Sequence, residues 1–127
     1  MDADARRLNE ITEAVIGCAY NVPNGMGCGF LEKVYENAMF VELTRKGFKA
    51  AQQVSTIIRW REAVVGEYCA DLIVEGCVLV ELKSCKARDE VHVAQCLNYL
   101  KATGLKVCLL INFGKSTIEI RRIVNKF

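Results

Sequence analysis

From Asp4 to about Tyr20, apolar residues recur at Leu8, Ile11, Val15, Cys18 and Ala19. That spacing keeps one face of a helix apolar, and Asn21, Pro23 and Asn24-Gly25 then supply a stop signal. A second helix is predicted from about Phe30 to Lys46, with the stripe Leu31, Val34, Tyr35, Ala38 and Met39. Glu32 in its first turn and Arg45 and Lys46 in its last complement the helix dipole, and Gly47 suits a left-handed cap. The period then changes. Gln53 to Trp60, Ala63 to Val74 and, across Glu75-Gly76, Cys77 to Ser84 are rich in β-branched and aromatic residues and read as strands. Asp89 is placed to cap a third helix from about Glu90 to Ala102, closed by Thr103-Gly104. Strands at Lys106 to Phe113 and Thr117 to Val124 complete the order ααβββαββ. The glycines at 25, 27 and 29 are read as the turn between the first two helices, since no strand precedes them and no Gly-Lys-Ser/Thr follows.

Near-continuous apolar runs such as Val107-Cys108-Leu109-Leu110-Ile111 indicate a sheet covered on both faces. The predicted fold class is therefore mixed α/β, a central mixed β-sheet flanked by helices. At 127 residues the chain has the size of one domain, 1–127, with room for a core. It carries neither an apolar run of membrane-span length nor a secretory leader, so a cytoplasmic protein that avoids membranes is expected. The seven cysteines, Cys18, Cys28, Cys69, Cys77, Cys85, Cys96 and Cys108, include no CxxC pair and read as reduced, mostly buried thiols. A net charge of +2 does not by itself mark a nucleic-acid binder; such binding must rest on a local patch.

The stretch that resists a purely structural reading is Asp71-Leu72-Ile73-Val74-Glu75-Gly76-Cys77-Val78-Leu79-Val80-Glu81-Leu82-Lys83. Charges inside a sheet are costly unless paired or bound to something. Glu81 and Lys83 share a face by strand alternation, but the place of Asp71 depends on the turn. A two-residue Glu75-Gly76 loop sends Asp71 and Glu81 to opposite faces, whereas a three-residue Glu75-Gly76-Cys77 loop, or a bulge elsewhere in the ladder, sets them opposite one another on one face. The second register would suit a metal-dependent phosphodiesterase, with hard oxygen ligands and a cation near the attacked phosphate. The plainer reading is a cross-strand salt bridge at an exposed sheet edge.

Asp71 followed by Glu81-Leu82-Lys83 resembles the PD-(D/E)XK nuclease superfamily. Gly29-Phe30-Leu31-Glu32-Lys33-Val34-Tyr35 has the GxxExxY form, and Gln95-Cys96-Leu97-Asn98-Tyr99 has the QxxxY form of the branch that includes RecB-like nucleases. From about residue 8 to residue 124 the chain resembles the GxxExxY family of small PD-(D/E)XK-like proteins, Gly66-Glu67-Tyr68 before Ala70-Asp71-Leu72 and Leu110-Ile111-Asn112-Phe113-Gly114 included. The resemblance implies a restriction-endonuclease-like core. It makes Asp71, Glu81 and the Leu82 carbonyl ligands of Mg²⁺ or Mn²⁺, with Glu32 completing or water-bridging the site. It gives Lys83 the attacking water or the charge developing on phosphorus, Gln95 the water and Tyr99 a phosphate oxygen. His92, on the same helix face as Gln95 and Tyr99, would support them. Lys83, Lys86, Arg88, Lys101 and Lys106 would form a backbone-binding rim. The implied activity is that of a divalent-metal-dependent nuclease acting on DNA. The alternative is a nucleic-acid-binding or assembly module without turnover, because the chain is minimal and shows no obvious substrate-clamping insertion. Self-association, or a partner protein, is expected in either case.

Overall fold

A computed structural model of the chain describes residues 2–85 and 90–125. Asp89, Lys86 and Arg88 lie outside the described residues. The elements are α1 (Ala3–Met26), α2 (Glu32–Arg45), β1 (Ala50–Trp60), β2 (Ala63–Val74), β3 (Val78–Lys83), α3 (Glu90–Thr103), β4 (Val107–Asn112) and β5 (Glu119–Val124). They follow the predicted order, and the five strands form one sheet in the order β1-β2-β3-β4-β5. β3 and β4 are parallel and the other neighbours antiparallel, so α3 is the crossover that a parallel pair requires.

Each face of the sheet has its own apolar cluster. Ile11, Val15 and Cys18 of α1 and Tyr35, Met39 and Leu43 of α2 pack on Val78, Val80, Leu82, Leu109 and Ile111. Cys96 and Leu100 of α3 pack on Leu79, Cys108, Leu110 and Ile123. The apolar run of β4, Val107 to Ile111, thus feeds both faces in alternation. Each fully buried Leu or Ile here contributes about 1.5–3 kcal/mol relative to leaving it exposed.

Three boundaries correct the sequence reading. α1 does not stop near Tyr20: it carries Pro23 inside its last turns and ends where Gly27 takes φ 90° and its N–H bonds the Pro23 carbonyl at 2.8 Å. Proline's fixed φ is helical, so it removes one hydrogen bond near the helix end without forcing an exit. In α2, Leu31 is the N-cap and 78% exposed, while Glu36 takes a buried place on the inner face. β1 begins at Ala50 rather than Gln53, and β5 at Glu119 rather than Thr117. All seven cysteines are free thiols, with Cys28 and Cys69 exposed and Cys77 and Cys85 half-buried, so fewer are buried than expected. No described helix is long and apolar enough to cross a membrane.

The β1–β2 ladder shifts register between Ile58 and Arg59, and it is irregular again beside Asp71. Along β2, Leu72 and Val74 belong to the α1/α2 cluster, yet Tyr68 and Ala70, of the same parity, belong to the α3 cluster. The alternation changes phase at Asp71. On β1, Gln53 lies between the pairs Gln52↔Leu72 and Val54↔Ala70 and has φ 52°. A left-handed residue facing Asp71 turns both strands together, so the outer half of the hairpin presents its even-numbered residues to the opposite side of the sheet.

Candidate active site

β2 and β3 pair only at Leu72↔Val80, Ile73↔Leu79 and Val74↔Val78 among the described residues. The loop between them is therefore Glu75-Gly76-Cys77, the register that sets Asp71 across from Glu81. Glu75 (φ 53°) and Gly76 (φ 69°) take the left-handed conformations the turn needs. The Glu75 carboxylate accepts from Arg7 Nη2 at 2.6 Å and from the Lys49 backbone N–H at 2.5 Å, anchoring the turn to α1 and to the approach to β1. Past Leu72 the two strands part, and the parting leaves the Leu82 N–H without a ladder partner from β2. Asp71 Oδ2 accepts it at 2.8 Å.

Inside this fork Glu81 is 6% exposed, which removes the reading of an ion pair at an exposed edge. The Tyr68 hydroxyl and the Asp71 backbone hydrogen-bond its carboxyl. Burial pushes the Glu81 carboxyl up to about 7 and the negative charge of Asp71 pushes the same way, while Tyr68 and Lys83 act against both. Burial, and then the bond to Glu81, raise Tyr68 well above the usual phenol range, so it remains a neutral donor. Tyr68 stacks on Tyr99 of α3, with ring centroids 3.4 Å apart and planes at 13°. Burial and the Glu81 charge also raise Tyr99. Asp71, Glu81, Lys83 and Tyr99 are thus brought within electrostatic reach of one another.

The chain leaving β3 is held from two sides. Glu32, at the start of α2, accepts the Ser84 N–H at 3.1 Å. Asn112 at the end of β4 accepts the Cys85 N–H at 3.1 Å and donates to the Cys85 carbonyl at 2.9 Å, and the Phe113 N–H bonds the Lys83 carbonyl at 2.8 Å. Gly114 lies so close that a β-carbon there would stand 2.4 Å from the Cys85 nitrogen. Residue 114 must be glycine for Ser84 and Cys85 to run where they do.

Gln95 is exposed on α3 one turn before Tyr99, and His92 is half-buried one turn earlier still. Lys106 does not share a rim with Lys83. Lys106 immediately precedes β4, whose first residue pairs with Val78, whereas Lys83 pairs with Asn112 at the other end of the strands. Two residues went unnoticed in the sequence. Glu36, 3% exposed, accepts from Lys33 at 2.8 Å, Gln52 at 2.6 Å and Gln53 at 2.7 Å. Gln53 also reaches Asp71 Oδ1 at 3.4 Å. Glu36 follows Glu32 by one helical turn, a spacing that could have flagged it; its glutamine partners come from β1 and left no local signal.

The donor set suits a hard divalent cation, since the half-buried Asp71 carboxyl faces the buried Glu81 carboxyl, which burial first and the Asp71 charge second push toward neutrality. Among the described residues, however, no three His, Cys, Asp or Glu side chains are gathered as a metal cluster. Glu32 instead sits on the Ser84 N–H, and Leu82 enters the fork through its N–H.

A family model described as the PD-(D/E)XK nuclease superfamily matches residues 9–123. The chain belongs to the PD-(D/E)XK nuclease superfamily. Its mixed sheet with helices on both faces is the restriction-endonuclease-like architecture of that superfamily, whose nucleases typically use divalent metals. Among solved structures the chain is similar to one reported as the crystal structure of SSO0001, at 18% identity and a TM-score of 0.58. The match covers 97% of this chain and 61% of that one, and at this identity it speaks for the fold alone. No curated protein matches the chain.

Proposed function

We propose that the chain is a divalent-metal-dependent nuclease of the GxxExxY type that hydrolyses phosphodiester bonds of DNA in the cytoplasm. The observation that carries this reading is the Glu81 carboxyl, buried beside Asp71 at the point where β2 and β3 part. Asp71, Glu81, the Leu82 carbonyl and Glu32, once released from the Ser84 N–H, are the groups that would hold Mg²⁺ or Mn²⁺. When bound, the cation supplies Lewis acidity toward the phosphate and makes water a better nucleophile at neutral pH.

The remaining work falls to the chain's own side chains. Tyr68, stacked on Tyr99, fixes the direction of the Glu81 carboxyl. Lys83 Nζ stands on the same side and stabilises negative charge on the phosphate oxygens as the water–phosphorus bond forms and the ester P–O bond opens in line. Gln95, with amide donors and an acceptor, orients the attacking water, and Tyr99 offers its hydroxyl to a phosphate oxygen. Asn112 and Gly114 keep the segment after Lys83 from drifting.

The absence of a three-residue metal cluster among the described residues favours a second reading, a nucleic-acid-binding or assembly module without turnover. Incubating purified protein with linear, nicked and single-stranded DNA and with RNA, plus Mg²⁺ or Mn²⁺, separates the two. Cleavage lost in Glu81→Ala supports the nuclease; cleavage equal in both proteins removes Glu81 from the chemistry, and no cleavage by either selects the module. Light scattering tests the accompanying expectation of self-association.

A further inference from the structure

β1 and β2 are far longer than their neighbours, 11 and 12 residues against 6 for β3. β2 pairs with β3 only from Leu72 onward, so from Ala63 to Asp71 its described strand partner is β1. The first part of this free hairpin is still covered, because Val54, Ile58, Tyr68 and Ala70 pack with α3. Beyond Ile58 cover ends: residues 59–65 are all exposed, with Trp60 at 65%, Val64 at 58% and Val65 at 60%. The hairpin closes on Arg61 (φ 48°) and Glu62 (φ 71°), two side-chain-bearing residues in the left-handed region that glycine or asparagine usually fills. The Arg61 guanidinium lies over the Trp60 ring, 5.4 Å from its centroid, and Arg59 flanks it.

β3 runs antiparallel to β2 and ends at Lys83, so the arm projects past the same end of the sheet at which Asp71, Glu81 and Lys83 lie. At the usual strand rise, the tip stands on the order of 25 Å from Asp71. That span matches about seven stacked nucleotides, or fewer if the strand is stretched. A flat aromatic with one guanidinium against its ring and a second arginine before it in the strand suits stacking on a base with phosphates of the same strand held nearby. Paired bases keep their faces covered by their neighbours, so the ring finds a partner only where bases are unpaired.

We propose that the β1–β2 arm is the substrate-holding element of this protein: Trp60 stacks on an unpaired base, and Arg59 and Arg61 bind phosphates, of a nucleic-acid strand leaving the fork. The inference rests on the nuclease reading for its substrate class but is tested separately from it. It also supplies the clamp that the sequence lacked as an insertion, because the clamp is an extension of two core strands.

Trp60 is the sole tryptophan of the chain, so its fluorescence reports on the arm alone. Full-length protein in EDTA is titrated with an oligothymidylate of about 12 nucleotides, with one of about four, and with a blunt duplex, while anisotropy of labelled oligonucleotides reads total binding. The longer single strand is expected to quench Trp60 strongly and the duplex weakly. Trp60→Ala is expected to weaken binding of the longer strand about tenfold and to leave the shorter one unchanged. Arg59→Ala with Arg61→Ala is expected to reduce the slope of log K on log salt by about 1 to 2.

Binding of oligonucleotide without change in Trp60 fluorescence overturns the arm proposal, as does failure to bind any of the three probes. A fluorescence change that follows protein concentration alone, with a dimer by light scattering that Trp60→Ala converts to monomer, assigns the tip to a second copy instead. Because EDTA silences cleavage, the outcomes separate: Glu81-dependent cleavage with no quenching sinks the arm alone, and quenching without cleavage in Mg²⁺ or Mn²⁺ sinks the nuclease reading alone.

Discussion

Glu36 and Glu81 are both buried carboxylates, 3% and 6% exposed, and their surroundings are opposite. Glu36 is ringed by donors, the ammonium of Lys33 and the amides of Gln52 and Gln53. Glu81 has the neutral Tyr68 hydroxyl and the Asp71 backbone, and a second carboxylate beside it. A buried charge with its donors in place joins elements together; here Glu36 ties α2 to β1. A buried charge set against another of the same sign is a standing cost that only a proton or a cation relieves. The fold contains both kinds, linked through Gln53, whose side chain touches Glu36 and Asp71 alike.

Substitutions should separate the two regions. The largest effect is expected at the fork: Glu81→Gln should lower metal-dependent cleavage by about a thousandfold, roughly 4 kcal/mol in the barrier. The same change removes the repulsion with Asp71, so thermal denaturation should show a melting temperature equal to or above that of wild type. Next comes Glu36→Leu, which removes the buried acceptor shared by Lys33, Gln52 and Gln53 and should cost about 1–3 kcal/mol in urea unfolding. If Glu36→Leu were as stable as wild type, the contrast between the two sites would collapse.

A smaller effect is expected from pH in metal-free protein. Glu81 sits at about 7 in the folded chain against 4.5 as its ordinary value, so the folded state holds a proton the unfolded state has lost. Stability from this group therefore falls as pH rises from about 4.5 to about 7, by on the order of 1–3 kcal/mol after solvent relaxation. Glu81→Gln should flatten that slope, and Mg²⁺ should raise the melting temperature more at pH 8 than at pH 5. The smallest expected effect has the opposite sign. Glu75 is held below its ordinary range by the Lys49 backbone N–H and by Arg7, so its contribution is present above about 4.5 and is lost as pH falls. Glu75→Gln should lower the melting temperature slightly at pH 7, by a difference that shrinks as pH falls below about 4.5.

Much of this was legible in the chain, for identifiable reasons. Helices and strands followed from periods that local packing enforces, and the Asp71/Glu81 question reduced to a choice between two loop lengths that the structure resolves in favour of three residues. Pro23 misled because its effect depends on where it falls: near a helix end it removes a bond that little depends on. Glu36 was overlooked because its glutamine donors lie on β1, joined to it only in three dimensions. The arm was hidden for the same reason. Strands read along the chain as Gln53 to Trp60, Ala63 to Val74 and Cys77 to Ser84 become a long pair of 11 and 12 residues beside a neighbour of 6, and the ladder between β2 and β3 ends at Leu72.

The central claim is that the Asp71–Glu81 fork, and not the Glu36 pocket, is the cation site. Calorimetric titration of the metal-free protein with Mn²⁺ tests it directly, run on wild type, Glu81→Gln, Asp71→Asn and Glu36→Gln. The account predicts one binding event in wild type that persists in Glu36→Gln and is lost or greatly weakened in the other two. Wild-type binding in Glu81→Gln and Asp71→Asn, or its loss in Glu36→Gln alone, would contradict it.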